Sequence, residues 1–358
     1  MSAAAARRSA PSEPVLRVLV VDDSAVAREV LSTVLRREGF EVATTSNAES
    51  ASQKIATVRP DVLLLDLQMP GMNGLDFLEQ LMRTTPMPVV VCSGIAQPGA
   101  AAAIRALELG ALDVIPKPSL GIRALLSGGV TPLGDIVRAA AAAKPQRSVR
   151  LAAPIPQLER APKPEAGVTP WRGRVILIGA STGGTEAIRE VLSGLPATSP
   201  PVVIVQHMPA EYTGAFARRL NAFTAINVRE AVNGDVLSPG LALVAPGGRQ
   251  MELAATTGMV KVRVFDGPPV SGHRPSVDAL FRSAARVLGD RASAVLLTGM
   301  GSDGADGLLQ LRQRGGETIA QDEATCVVFG MPKEAIARGA AVQVMPLESI
   351  AAGLLGSV

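Results

Sequence analysis

Between Val15 and Ile115 the chain returns at intervals to short runs rich in Val, Leu and Ile: Val15–Val21, Glu41–Thr45, Asp61–Asp66, Pro88–Cys92 and Leu112–Ile115. Runs of this kind suit strands of a buried parallel sheet, and helices are predicted in the gaps between them. Strand and helix in alternation imply βαβ units, right-handed crossovers and a doubly wound sheet. From about Ser119 to Trp171 the texture changes to Ala and Pro, with Ala139–Ala143 followed by Lys144, Pro145 and five further prolines up to Pro170. The Ala run is predicted helical and the proline-rich remainder extended. A second alternating block begins at Arg174. Its strand candidates are Val175–Gly179, Val202–Gln206, Ala242–Val244, Ala294–Thr298, Glu317–Ala320 and Ala341–Met345, with a hairpin around Met251–Val264.

Length agrees with this division. The 358 residues exceed one typical domain, since roughly 100 to 200 residues per domain is usual. The expected organisation is one α/β domain at 15–120, an Ala/Pro-rich linker at 121–172 and a second, doubly wound and mostly parallel α/β domain at 173–355. Hydrophobic residues make up 47% and aromatic residues 3%, so the cores are expected to be aliphatic with Met as filler. A formal net charge of +3 with scattered basic residues shows no nucleic-acid stripe. The two cysteines, Cys92 and Cys326, form no zinc motif. No signal peptide follows Arg7 and Arg8, and no apolar run reaches membrane-spanning length, which together predict a cytoplasmic protein.

In an open parallel sheet the binding crevice lies beyond the carboxyl ends of the strands. Asp22 and Asp23 follow the first strand, Asp66 ends the third, Ser93 follows the fourth, and Lys117 follows the fifth. Three converging carboxylates repel unless a hard cation sits among them, and Mg²⁺ with its oxygen ligands fits Asp22, Asp23 and Asp66. Ser93 and Lys117 are suited to the oxygens of an acyl phosphate on Asp66. Each residue alone reads as well as a helix cap or a surface charge. The set, with its LLLDLQMPGMNG run and its Lys117-Pro118 pair, resembles the response-regulator receiver family over residues 15–118. The resemblance implies a flavodoxin-like fold, phosphorylation at Asp66, a switch through Ser93 and Lys117, and a histidine kinase of the CheA type as phosphodonor. It also places a cis bond between Lys117 and Pro118.

In the second block, VILIGASTGGTEAI puts Ser181 between a strand and a helix, where Gly179, Gly183 and Gly184 allow a sharp turn. The helix start offers free N–H groups to a developing oxyanion. A turn of this kind also cradles nucleotide phosphates, although G-x-G-x-x-G spacing and a P-loop Lys are missing. The chain has two histidines, His207 and His273. His207 ends the next strand, within reach of Ser181, and Asp303 in a glycine-rich loop is positioned to orient its imidazole, with Asp306 as rival. His273 reads as substrate-side or structural.

These segments, together with HMPAEYTGAFARRL, SGHRPSVDALF and TIAQDEATCVVFGMPKEAI, resemble the chemotaxis protein-glutamate methylesterase family over residues 174 to about 350. That resemblance implies a Ser181–His207–Asp303 triad, with Asp303 rather than Asp306, and backbone N–H groups of Thr182 and Met300 as oxyanion donors. It implies hydrolysis of glutamate γ-methyl esters on methyl-accepting chemotaxis receptors and deamidation of receptor glutamines, with no cofactor for the esterase step. Gln250, where His is usual, and Tyr212, where Phe is usual, are expected to bear on substrate fit. Two rivals stand beside this reading. One is a silent receptor-binding adaptor; the other is a DNA-binding regulator, which needs a small basic helix-turn-helix module that the second block does not resemble.

Overall fold

The computed structural model describes residues 15–69, 72–94, 97–117, 132–143, 171, 173–256 and 258–356. In the first domain β1 (Arg17–Val21), α1 (Ala25–Arg37), β2 (Glu41–Thr45), α2 (Ala48–Val58) and β3 (Val62–Asp66) are followed by α3 (Gly74–Thr84), β4 (Val89–Ser93), α4 (Gln97–Glu108) and β5 (Asp113–Pro116). All strand pairs are parallel, in the order β2-β1-β3-β4-β5. Chain order reverses between β1 and β3, so the ends of those two strands frame the crevice that receives Asp22, Asp23 and Asp66. Side chains of Ser24, Asn47 and Asn73 cap α1, α2 and α3 by accepting N–H bonds that the first helical turn leaves open.

The Ala-rich stretch does form a helix, α5 (Leu133–Ala142). It differs from a free linker segment. Leu133, Ile136, Val137 and Ala140 bury their side chains among Val18, Val20, Leu31 and Leu35 of the first domain. This helix therefore adds a layer to that domain's core. The expected cis bond at Lys117-Pro118 and the proline-rich stretch after 143 lie outside the described residues.

The second domain runs β6 (Val175–Ala180), α6 (Gly184–Ser193), β7 (Val202–Gln206), α7 (Ala210–Phe223), β8 (Asn227–Glu230), β9 (Leu241–Val244), β10 (Gln250–Thr256), β11 (Met259–Phe265) and α8 (Val277–Val287). After a short 3₁₀ turn come β12 (Ala292–Leu296), α9 (Ala305–Gln313), β13 (Glu317–Gln321), α10 (Met331–Ala337), β14 (Gln343–Met345) and α11 (Leu347–Gly356). The main sheet is parallel throughout, ordered β14-β13-β12-β6-β7-β9-β8, while β10 and β11 form an antiparallel hairpin. The chain enters at β6, builds outward through β7, and returns to add β12 on the other flank. The switch point therefore falls at the end of β6, where Ser181 sits. Strand β8 was not predicted: of its residues Asn-Val-Arg-Glu only Val228 is buried, because an edge strand has no need of a continuous apolar run.

The two domains share buried surface. Helix α4 packs on α7, and Ala103, Ile104 and Leu107 join one continuous apolar cluster with Ile188, Phe216 and Leu220. Replacing Ile136 by Ala is expected to lower the stability of the first domain by about 2–4 kcal/mol, as for other buried Ile positions. A urea unfolding midpoint displaced by no more than a surface substitution, about 0.5 kcal/mol, would remove α5 from that core.

Candidate active site and acidic switch

At the edge of the first sheet, one carboxylate oxygen from each of Asp22, Asp23 and Asp66 lies within 4.8 Å of the others. Lys117 Nζ donates to Asp66 Oδ2 at 2.6 Å and stands 3.6 and 3.9 Å from Asp22 and Asp23. Burial raises the carboxyls of Asp66 and Asp22 above their ordinary range, and Lys117 only partly offsets this. Burial also works against the Lys117 ammonium, but the hydrogen bond and charge of Asp66 outweigh it and lift its pKa. Asp22 Oδ1 accepts the Ser24 N–H at 2.8 Å, whereas its Oδ2 is buried with no hydrogen-bond partner. An oxygen-only set with an unused buried carboxylate oxygen fits a small hard cation. Ser93 points elsewhere in this state, donating from Oγ to the Gly99 carbonyl at 3.2 Å.

In the second domain the register pairs Ala180 with Gln206, so the residues that follow, Ser181 and His207, leave adjacent strand ends side by side. The His207 N–H donates to the Ala180 carbonyl at 3.0 Å, and Gln206 Nε2 donates to the Ser181 carbonyl at 2.8 Å. Gly183 has φ +77°, and a Cβ there would press on Val327. A Cβ on Gly299 would lie 2.6 Å from that of Ser181. Both glycines are therefore required by close approach around the Ser181 turn.

His207 Nε2 and Asp303 Oδ2 are 2.8 Å apart, with side-chain exposures of 6% and 0%. Asp303 also accepts from Ser276 Oγ at 2.7 Å and from the backbone N–H groups of Val277 and Asp278 at 2.7 and 3.0 Å. Burial disfavours its charge, yet His207 together with these donors at the start of α8 holds the carboxyl below its usual range. An ionised carboxylate can only accept, so Nε2 carries the proton and Nδ1 presents a lone pair. That Nδ1 is buried and has no hydrogen-bond partner among the described residues. The rival Asp306 lies on the half-exposed face of α9, paired with Arg338 and 3.6 Å from Arg282.

The N–H groups of Thr182 and Met300 take no acceptor among the described residues. Thr182 Oγ1, however, donates at 2.9 Å to Asp113 Oδ2, which comes from the first domain. Burial pushes the Asp113 carboxyl up to about 6 despite that bond and the nearby His207. Gly183 N–H donates to the Leu112 carbonyl at 3.3 Å, so the start of β5 abuts the Ser181 turn directly. Across the same interface Arg219 pairs with Glu108, and Ala139 and Ala143 of the α5 segment pack on Val328.

Both departures, Tyr212 and Gln250, are buried in hydrogen-bond networks. Tyr212 is fully buried and donates its hydroxyl to the carbonyls of Ser93 at 3.1 Å and Ile115 at 3.5 Å. Gln250 is 1% exposed. Its Nε2 donates to the carbonyls of Pro268 and His273 at 3.1 and 3.0 Å, and its Oε1 accepts the Ser276 N–H at 3.0 Å. His273 stacks its ring on His207. Sequence reasoning missed Asp113, Ser276 and Gln206 as neighbours of the site. Only Ser276, as a Ser before an apolar helix, carried a local signal, and that signal reads as an N-cap.

Residues 176–354 match the CheB methylesterase family and residues 18–127 match the response regulator receiver domain. Protein-glutamate methylesterase/protein-glutamine glutaminase 1 of Anaeromyxobacter dehalogenans is 52% identical over 343 residues, covering 95% of this chain and 98% of the relative. The protein of that name from Salmonella typhi is 46% identical over 345 residues, covering 96% and 97%. The crystal structure of the Thermotoga maritima CheB methylesterase catalytic domain superposes with a TM-score of 0.51 at 38% identity, covering 52% of this chain and 99% of that one. The chain thus belongs to the CheB methylesterase family, with a response-regulator receiver domain preceding its methylesterase domain.

Proposed function

We propose that this chain is a phosphorylation-activated serine hydrolase that demethylates glutamate γ-methyl esters on methyl-accepting chemotaxis receptors and deamidates specific receptor glutamines, giving sensory adaptation in the cytoplasm. The observation that carries the chemistry is the buried His207–Asp303 hydrogen bond at 2.8 Å beside the Ser181 turn, with Nδ1 of His207 unpartnered. Ser181 Oγ attacks the γ-carbonyl carbon while its proton passes to Nδ1. The N–H groups of Thr182 and Met300 receive the developing oxyanion. Collapse of the tetrahedral adduct breaks the bond to methoxide, which takes the proton from His207 and leaves as methanol. Water, deprotonated by His207, then cleaves the acyl-enzyme to glutamate and restores Ser181. With a glutamine side chain the same sequence releases ammonia.

Asp66 is the proposed phospho-acceptor, served by a histidine kinase of the CheA type. Asp22, Asp23 and Asp66 would hold Mg²⁺, which supplies charge neutralisation during phosphoryl transfer. Ser93 and Lys117 would receive the oxygens of the acyl phosphate. The packing supports a closed resting state, because Asp113 and Leu112 of the receiver bond to Thr182 and Gly183 on either side of the oxyanion turn. Tyr212 holds the carbonyl of Ser93, so a rearrangement of Ser93 toward a phosphoryl group disturbs the interface from the receiver side and shifts the population toward an open form.

Ser181→Ala and His207→Ala are each expected to reduce methanol release from methylated receptor fragments by about 10³-fold or more, and Asp303→Asn by about 10³- to 10⁴-fold through loss of the correct tautomer. Equal methanol release from wild type and Ser181→Ala would favour the adaptor reading instead. Tyr212→Phe keeps the packing but removes one of the two donors to the Ser93 carbonyl, the other being the Lys117 N–H at 2.9 Å, and is expected to raise basal activity without phosphodonor about threefold to tenfold. A basal rate equal to wild type would take Tyr212 out of the closure.

Closure also has a pH signature. Burial raises Asp113 from the ordinary carboxyl value of 3.8 to about 6, and to the extent that the docked interface supplies that burial the docked form binds the extra proton between those values. The docked state is therefore favoured below about pH 4 and loses ground as pH rises to about 6, with no further contribution above it. Small-angle scattering across that range is expected to show progressive opening in wild type and a flat response in Asp113→Asn. The same slope in both would assign the effect to another group.

A further inference from the structure

His207 is held by surprisingly few polar contacts for a proton carrier. Its Nε2 has Asp303, its Nδ1 has no partner, and a single hydrogen bond at one corner leaves the ring free to tilt about that bond. What fixes the plane is a second ring. The imidazole of His273 lies against it with centroids 3.8 Å apart and planes 8° from parallel.

The support for His273 is itself built. Its N–H and carbonyl exchange hydrogen bonds with Val270 at 2.9 and 3.0 Å, and Gln250 clamps its carbonyl at 3.0 Å. The same Gln250 accepts the N–H of Ser276, whose hydroxyl donates to Asp303. One amide side chain thus ties the loop bearing His273 to the carboxylate that orients His207. Neither ring nitrogen of His273 is used in these contacts.

We propose that His273 is a positioning residue for the hydrolysis: its neutral ring, stacked on His207, sets the imidazole plane that aims Nδ1 at Ser181 and stabilises the cation formed when His207 takes the serine proton. This inference rests on the hydrolase reading of Ser181 and His207. Two neutral imidazoles stack without charge repulsion. When Nδ1 gains a proton, the positive ring lies over the π face of its neighbour, an attractive arrangement of the cation–π type. Burial and the proximity of His207 lower His273 to about 4, so it stays neutral over the working range. The charged groups around the pair are Asp303 from the loop after β12, with Asp278 and Arg282 of α8 behind it, and Asp113 of the first domain near His207, while Arg274 turns its Nη1 to the Gly267 carbonyl at 3.0 Å.

The test compares His273→Ala, His273→Leu and His273→Phe in the full chain, with a small phosphodonor and Mg²⁺ present and methanol release from methylated receptor fragments as the assay. Loss of the ring is expected to reduce kcat about tenfold to thirtyfold in the Ala and Leu variants with KM within about threefold, and Phe is expected to restore kcat to within about threefold of wild type. The chain contains two histidines, so proton NMR resolves both imidazoles without ambiguity. The His207 Cε1–H resonance is expected to carry a ring-current shift that Phe retains and Leu abolishes. Rescue by Leu equal to that by Phe would reduce His273 to filler. A Phe variant as impaired as Ala would mean that a ring nitrogen acts directly, and an unimpaired Ala variant would remove the role altogether; each overturns the proposal. Ser181→Ala run alongside separates the two claims, because its retention of wild-type activity would sink the hydrolase reading, whereas the ring-current result bears on the stacking alone.

Discussion

A fully buried carboxylate governs the arrangement of the second domain. Asp303 is 1% exposed, and an ionised group in that position is tolerated only if its oxygens are saturated with donors. Four converge on it: the His207 imidazole, the Ser276 hydroxyl and the first two N–H groups of α8. Satisfying that one charge fixes the start of α8, the loop before it and the His207 ring. The requirement also explains why Asp303 and not Asp306 lies inside, since the latter is half exposed and already paired with arginines on the surface.

Parallel-sheet topology supplies the other constraint. Each sheet concentrates its reactive residues beyond its carboxyl edge, at the point where strand order reverses. The carboxyl edge of the second sheet meets β5 along its length: Gly183 and Thr182 bond to Leu112 and Asp113 at its start, and Tyr212 reaches Ile115 near its end. Asp113 opens β5, Lys117 follows its end, and Ser93 closes β4, so one short stretch of the receiver touches both the acidic crevice and, through Asp113 and Tyr212, the second domain. A change at Asp66 therefore has a physical path to Thr182 that crosses only one strand and a few hydrogen bonds. The apolar contact between α4 and α7 provides area, while the polar contacts provide register.

The stacked histidines and Gln250 illustrate how support for a site is assembled from distant segments. Gln250 comes from β10, His273 from an extended loop and His207 from β7, and none of the three is near another in the chain. Each satisfies a buried polar or aromatic group that local structure leaves open, which is the condition for holding an imidazole in one orientation.

Much of this was legible in the linear chain. Strands that are buried on both faces must be apolar along their whole length, so β1, β3, β4, β6, β7 and β12 announced themselves, and the residues at or beyond their ends marked Asp22, Asp66, Ser181, His207 and Asp303 as candidates. Where burial is one-sided or the surface is small, that signal fades: β8 was invisible because only Val228 turns inward, and α5 read as linker because alanines bury little area that a sequence can display. The tertiary structure alone decided the rest. It bonded Tyr212 to Ser93, brought Asp113 to Thr182 across the domain boundary, and laid His273 on His207. Sequence determines which residues are chemically capable and which strand ends carry them; contacts between residues tens of positions apart depend on how finished layers pack, and no local spacing encodes that.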